Sequence, residues 1–312
     1  MSQLRKLVTA PSRPVRRRAR HATRRSRLLP SFLIIGAQRA GTTTLWTYLR
    51  RHPDIVGPRT ADASVFWPKE LHFFDENYWR GVDWYRAFFP LAARQRALRL
   101  VGRDVVCGEG TPYYMFHPAV PERVAATLPD VRLVALLRNP VERAYSHYQL
   151  MVKTGRENLT FEEAIAAEPE RLAGLEEELA KVKPGVDGQG NRRHRHHRHH
   201  AYVGRGLYAE QLERWLAHFP REQLLVLRAE DFQARPDEVY ERVFSFLGVR
   251  PRPVRDYEPR NVASYAPIEP ELRARLEERF AQPNARLAGL LGGDFSWDPA
   301  PSDQAPHDSK VA

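Results

Sequence analysis

A short, unbroken apolar run, Phe32-Leu-Ile-Ile-Gly36, leads directly into Ala37-Gln-Arg-Ala-Gly41-Thr-Thr43. Thr44–Arg51 then has the pattern of a helix, stopped at His52-Pro53. An uninterrupted apolar strand is what a buried parallel sheet requires, because helices cover both of its faces. The residue before a proline is pushed out of the helical region, which ends the helix. Strand, glycine-bearing turn and helix form the unit in which backbone N–H groups and a helix N-terminus cradle a phosphate. Against the template G-x-x-x-x-G-K-[ST], both glycines and the last hydroxyl fit, but Thr42 stands where the lysine would. Arg39 places a cation three residues earlier, and Thr42, Thr43 and Thr44 supply hydroxyls. No strand ends in an aspartate suited to hold magnesium, so the loop is built to grip a phosphate rather than to hydrolyse ATP. Taken alone, an ordinary tight β–α turn would read the same way.

The strand–helix alternation continues. Strands are expected at 104–108, 131–137 and 223–227. Helices are expected at 118–128, from Pro140 to about Met151, at 206–219, at 237–247 closed by Gly248, and at 269–291 with a break near Pro283. This order predicts an α/β chain with a single domain over residues 31–298, a P-loop-like three-layer fold whose central parallel sheet is flanked by helices. At 312 residues the chain can bury one large core. Residues 181–200, ending in Arg-Arg-His-Arg-His-His-Arg-His-His, interrupt the alternation and are expected to be a mobile loop. Its arginines repel a cation, which argues against a metal site there, and no metal is expected elsewhere. Residues 299–312 are expected to be a disordered tail.

The formal charge of +11 invites a nucleic-acid reading. Its distribution argues otherwise, because residues 1–27 hold ten lysines and arginines and no acid, leaving the body nearly neutral. Residues 1–30 are therefore expected to be a disordered basic arm, able to touch anionic surfaces but not to recognise a specific nucleic acid. Cys107 is the only cysteine, so no internal disulfide can form, which fits a reducing cytoplasm. No run of 18 apolar residues is present, so no transmembrane segment is expected.

Three further constellations carry chemistry. In Leu137-Arg138-Asn-Pro-Val-Glu-Arg-Ala-Tyr-Ser146, a strand runs out into Arg138 and a helix starts at Pro140, making a second anion site. The plainer alternative is a surface arginine paired with Glu142. Two anion sites at the carboxyl ends of parallel strands point to a nucleotide carrying two separate phosphate groups. In Lys69-Glu70-Leu-His72-Phe-Phe-Asp75, Glu70 and His72 alternate along an extended stretch and would face one side, or else form a solvated edge strand. Gly108-Glu109-Gly-Thr-Pro-Tyr-Tyr114 reads as a strand-end turn with groove-lining aromatics, or as a plain Thr-Pro turn.

In this order, and with Arg205-Gly-Leu-Tyr, Glu230-Asp231-Phe232, Phe246-Leu-Gly248 and Phe295-Ser-Trp297, the chain resembles the sulfotransferases that use 3′-phosphoadenosine 5′-phosphosulfate (PAPS), in particular the heparan-sulfate-type branch and its bacterial relatives. The resemblance covers residues 31–298. It implies that Arg39, Ala40, Gly41, Thr42, Thr43 and Thr44 hold the 5′-phosphosulfate end, and that Arg138 and Ser146 hold the 3′-phosphate. It implies Glu70 as catalytic base, His72 beside it and Arg39 in the catalytic set, with PAPS as sulfuryl donor. The acceptor implied is a hydroxyl of a carbohydrate, glycolipid or other glycosylated metabolite. Arg39 stands where that family usually has lysine, and Gly110 where heparan-sulfate enzymes commonly have lysine. Two other classes compete: a P-loop small-molecule kinase, which would need ATP and magnesium, and a nucleic-acid or anion binder acting through the basic arm.

Overall fold

A computed structural model describes residues 13–58, 70–181, 192–253, 257, 265–293 and 295–297. Five parallel strands form its centre: β1 (Phe32–Gly36), β2 (Ile55–Val56), β3 (Val106–Gly110), β4 (Arg132–Leu137) and β5 (Leu224–Arg228). They are ordered β2-β3-β1-β4-β5. All five residues of β1 are buried, as are the last five of β4, which is why neither shows polar alternation.

Around the sheet lie α1 (Thr42–Leu49), α2 (Val120–Thr127), α3 (Pro140–Lys153), α4 (Phe161–Leu172), α5 (Arg192–His199), α6 (Tyr208–Leu216), α7 (Pro236–Leu247) and α8 (Pro270–Leu291). The chain is thus α/β, with a parallel central sheet flanked by helices, as the alternating pattern predicts. β1 connects toward β2 and β3 on one side, and the chain then crosses to β4 on the other. The boundary between β1 and β4 is therefore a topological switch point, where the loops leaving the strand ends part and a crevice opens. The β1–β4 register slips between Ile34 and Gly36, just before the first loop.

Four expectations need correction. The arm is not unstructured throughout. Arg13–Ala22 is helical and Arg24–Ser26 is a 3-10 turn. Arg24 and Arg25 pair with Asp83 at 3.2 and 3.4 Å, and Arg27 donates to the Phe89 carbonyl at 2.7 Å. Residues 1–12 lie outside the described residues, as do 182–191 and the 299–312 tail. The Arg/His-rich stretch, expected as a mobile loop, carries α5, because His197 buries completely against Phe116 in a stacked contact of 4.2 Å. α8 runs through Pro283 without the expected break. Finally, His72 is left-handed (φ 48°), so Glu70 and His72 do not lie on an extended strand.

Candidate functional site

The phosphate-type loop is shaped by two glycines. A Cβ at Gly36 would stand 2.6 Å from the Met115 side chain, so that position must lack one. Gly41 caps α1 at φ 95°, a conformation in which a side chain is strained. With Arg39 also left-handed at φ 73°, the backbone turns sharply enough to aim the first-turn amides of α1 outward. The N-terminal end of α1 carries the positive pole of its dipole.

The second half of the site comes from the end of β4. Asn139 caps α3, its side chain accepting from the amides of Val141 (3.0 Å) and Glu142 (3.3 Å). Glu230 accepts from the Asn139 amide at 2.9 Å, and Tyr208 donates to the Arg138 carbonyl at 2.8 Å. These bonds fix the backbone on both sides of Arg138. Trp297 donates to Glu230 at 3.1 Å, which explains what the Glu230-Asp231-Phe232 and Phe295-Ser-Trp297 segments do.

The two halves meet. Arg39 Nε donates to Ser146 Oγ at 3.1 Å, and Arg138 Nη1 donates to the Arg39 carbonyl at 3.4 Å. Arg39, Ala40, Gly41, Thr42, Thr43, Thr44, Arg138 and Ser146 all line one cleft of about 420 Å³. Tyr257, Phe232, Tyr265 and Arg273 add to its wall. Burial lowers the Arg39 pKa, Tyr265 opposes that shift, and neighbouring Arg138 adds to it. An anion seated here would relieve the repulsion between the two guanidiniums. The plainer reading of Arg138 is also present, since Glu142 lies 3.7 Å from it and 2.5 Å from Arg273.

Glu70 and His72 do not line that cleft; they stand on a neighbouring segment pinned to the end of β3. Buried Glu109 on β3 accepts from Tyr85 (2.7 Å), Tyr114 (2.9 Å), Thr111 (3.0 Å) and the Leu71 amide (3.3 Å). Burial raises Glu109 to about 7 against these four hydrogen bonds. The Gly108–Tyr114 stretch is therefore a buried anchor at Glu109 and Tyr114 rather than an open groove wall. On the pinned segment, His72 Nδ1 lies 2.6 Å from Asp75 Oδ2, and His72 Nε2 lies 3.5 Å from Glu70 Oε2. Burial alone would lower His72, but the Asp75 carboxylate outweighs it. With its hydrogen bond and that of Glu70, and against Arg198, Asp75 lifts His72 to about 9. That shift favours the protonated ring, whose Nε2 edge faces both Glu70 and the Arg198 guanidinium.

α5 closes this side. Arg198 ion-pairs with Glu76, and its Nη2 lies 3.1 Å from His72 Nε2. Ligand-type atoms of His72, Asp75 and Glu76 come within 4.8 Å of one another, but the Arg198 guanidinium already supplies positive charge there. Behind it, buried Arg205 donates to the Gln38 side chain in the first loop and to the Arg198 carbonyl at 2.6 Å. Its guanidinium lies over Tyr113 (4.9 Å) and Phe116 (5.1 Å), and burial lowers its pKa to about 9. A continuous path, Gln38–Arg205–Arg198–His72–Glu70, therefore joins the loop to the carboxylate.

Arg198 and Arg205 adjoin the candidate site and have no role in the sequence reading. The arginine-histidine run masked the first by composition, and the second reads only as the residue before a helix.

A switch-point crevice that brings Arg39, Arg138 and Ser146 to the N-terminal end of α1 has the layout of a phosphate-loop fold. Comparison with known proteins narrows the class: residues 29–260 match the family described as "Sulfotransferase domain", and the chain belongs to it. A crystal structure of a sulfotransferase from Alicyclobacillus acidocaldarius is 31% identical, covers 86% of this chain and 98% of its own, and superposes with a TM-score of 0.61. The membrane-associated sulfotransferase kil1 of Dictyostelium discoideum is 28% identical over 86% of this chain and 66% of its own length. The bifunctional heparan sulfate N-deacetylase/N-sulfotransferase of Drosophila melanogaster is 32% identical over 72% of this chain. This chain spans only 20% of that relative's length.

Proposed function

We propose that this chain moves a sulfuryl group from PAPS to an acceptor hydroxyl, with Glu70 as general base. The observation that carries the reading is the joining of two anion sites across one crevice: the α1 N-terminus with Arg39, and Arg138 with Ser146. A nucleotide bearing separate 5′ and 3′ phosphate groups matches two sites, whereas ATP presents one contiguous chain of phosphates. Tyr257 and Phe232 on the same wall offer aromatic faces suited to a base.

In the reaction, Glu70 takes the acceptor proton as the acceptor oxygen bonds to sulfur. The bond from sulfur to the bridging phosphate oxygen breaks, and negative charge gathers on the departing phosphate. The α1 amides, Thr42, Thr43 and Arg39 face that charge, which is electrostatic stabilisation by groups already in place. His72, held by Asp75 at 2.6 Å, faces the Glu70 carboxylate at 3.5 Å and orients it. Arg39 carries the charge that lysine usually supplies, but as a planar fork.

The relatives named for heparan sulfate support a glycan acceptor. They are named for transfer to nitrogen, so the hydroxyl acceptor rests on the reading of a glycan, glycolipid or other glycosylated metabolite bearing hydroxyls. The lone buried Cys107 is consistent with a reducing compartment such as the cytoplasm. Transfer of radiolabelled sulfate from PAPS to a panel of oligosaccharides, without added metal, tests the reading. Product that depends on both Glu70 and PAPS is expected. ATP-magnesium-dependent phosphorylation of the same panel in its place would contradict it.

A further inference from the structure

Among the described residues, the large apolar side chains that stand exposed are Trp79 (52%), Leu91, Leu100 (89%), Val101 (70%) and Val152. Four of these five fall within 23 consecutive residues. The surrounding stretch, residues 78–104, holds six arginines (Arg80, Arg86, Arg94, Arg96, Arg99 and Arg103) and only two aspartates, Asp83 and Asp104. Both aspartates are already engaged, Asp83 by Arg24 and Arg25, Asp104 by Arg99 at 2.9 Å.

The basic N-terminal segment is docked onto this same stretch. Arg27 pairs with Leu91 as an antiparallel bridge, the Leu28 amide donates to the Pro90 carbonyl at 2.9 Å, and Arg86 donates to the Arg25 carbonyl at 3.3 Å. The helix Ala92–Arg99 starts at that junction and ends at the exposed Leu100-Val101 pair. Arg80 lies over the exposed Trp79 ring at 4.8 Å. Residues 1–27 and 78–104 together hold sixteen basic residues against two acidic ones, in a chain whose total charge is +11, so the rest of the molecule is net negative. Exposed apolar groups and arginines thus gather along the 78–104 stretch, against which the segment around Arg24–Leu28 is docked; together these make one basic, partly apolar face.

We infer that this face docks on the surface of an anionic lipid bilayer. Arginines meet lipid phosphates and carboxylates, while Trp79, Leu100 and Val101 enter the boundary between headgroups and acyl chains. The apolar residues decide between occupants. A nucleic-acid duplex would use the arginines but has no place for four exposed apolar side chains beside them, whereas an interface takes both. None of these residues lines the nucleotide cleft.

The test is co-sedimentation of the full chain with phosphatidylcholine vesicles, with and without phosphatidylserine, at about 0.15 M ionic strength. Partition onto the anionic vesicles alone is expected. R94Q/R96Q/R99Q should weaken it on the order of a hundredfold, from roughly fivefold per basic residue at an anionic surface. L100S/V101S should weaken it by about tenfold or more, because it removes two inserted apolar groups. These side chains are exposed, so both variants should melt with the parent. Failure to bind anionic vesicles would overturn the inference. So would vesicle binding unchanged by L100S/V101S together with equally tight binding of a double-stranded oligonucleotide, which would mark the face as a general polyanion surface.

Discussion

Glu70 and His72 lie two residues apart in sequence, yet Asp75 decides how they work. A fully buried carboxylate 2.6 Å from His72 Nδ1 holds the ring, and its Nε2 edge in turn faces Glu70. Replacing Glu70 with Gln removes the proton acceptor but keeps the shape. Turnover is expected to fall about 10²–10⁴-fold, with affinity for 3′-phosphoadenosine 5′-phosphate unchanged. Near-parental turnover in E70Q would remove Glu70 from the base role. The His72–Asp75 pair also predicts a pH dependence of stability. The folded pKa of His72, about 9, lies above its ordinary 6.5. Its contribution, on the order of 3 kcal/mol, is thus fully present below pH 6.5 and is lost as pH rises through 9. Chemical denaturation across that window should show the decline in the parent and a flatter profile in H72Q. Identical profiles would show that the pair does not hold this charge.

At the scale of elements, α5 and the first loop behave as one unit because Arg205 bonds to both. Arg205→Met would leave Gln38 and two carbonyls without their donor at a buried position. A loss of roughly 2–4 kcal/mol is expected, measured by denaturant unfolding, together with weaker binding of 3′-phosphoadenosine 5′-phosphate. Lost stability with intact nucleotide affinity would mean that Arg205 supports the fold without positioning the loop. The same region marks where sequence reading reached its limit. Strands β1 and β4, the capped α3 and the Gly41 turn were legible, because buried apolar runs, an Asn-Pro start and a paired glycine spacing each have one dominant physical cause. Arg39 and Arg138 could be placed together because strand ends in a parallel sheet converge, and Ser146 joined them through the family resemblance. α5 was not legible. Its sequence lacks an apolar face, and it folds by burying a neutral His197 and by Arg205 capturing its C-terminal carbonyls, both long-range contacts. The Gly108–Tyr114 stretch reads as groove-lining aromatics because the long-range partner Tyr85, which buries Glu109 together with Tyr114, leaves no local mark in the sequence.

For the molecule as a whole, the single sheet ties the site to the global fold. Cys107 lies in β3, 2% exposed, and burial pushes its thiol well above the ordinary range. Alkylation by iodoacetamide is therefore expected to follow global unfolding, with the folded chain unreactive and the denatured chain labelled at one site. Fast labelling under native conditions would mean that β3 opens locally, and with it the anchor for Glu70.

The central claim is that one crevice holds two separate phosphate groups. The most direct test is isothermal titration of the full chain with 3′-phosphoadenosine 5′-phosphate, AMP and ATP-magnesium, repeated with Arg138→Ala. Losing charge-assisted hydrogen bonds at the second site costs about 1.5–3 kcal/mol, a factor on the order of ten to a hundred. The bisphosphate should bind tighter than AMP by at least that lower factor, and R138A should close the gap while leaving AMP affinity unchanged. ATP-magnesium binding as tightly as the bisphosphate, with R138A indifferent to either, would contradict the account.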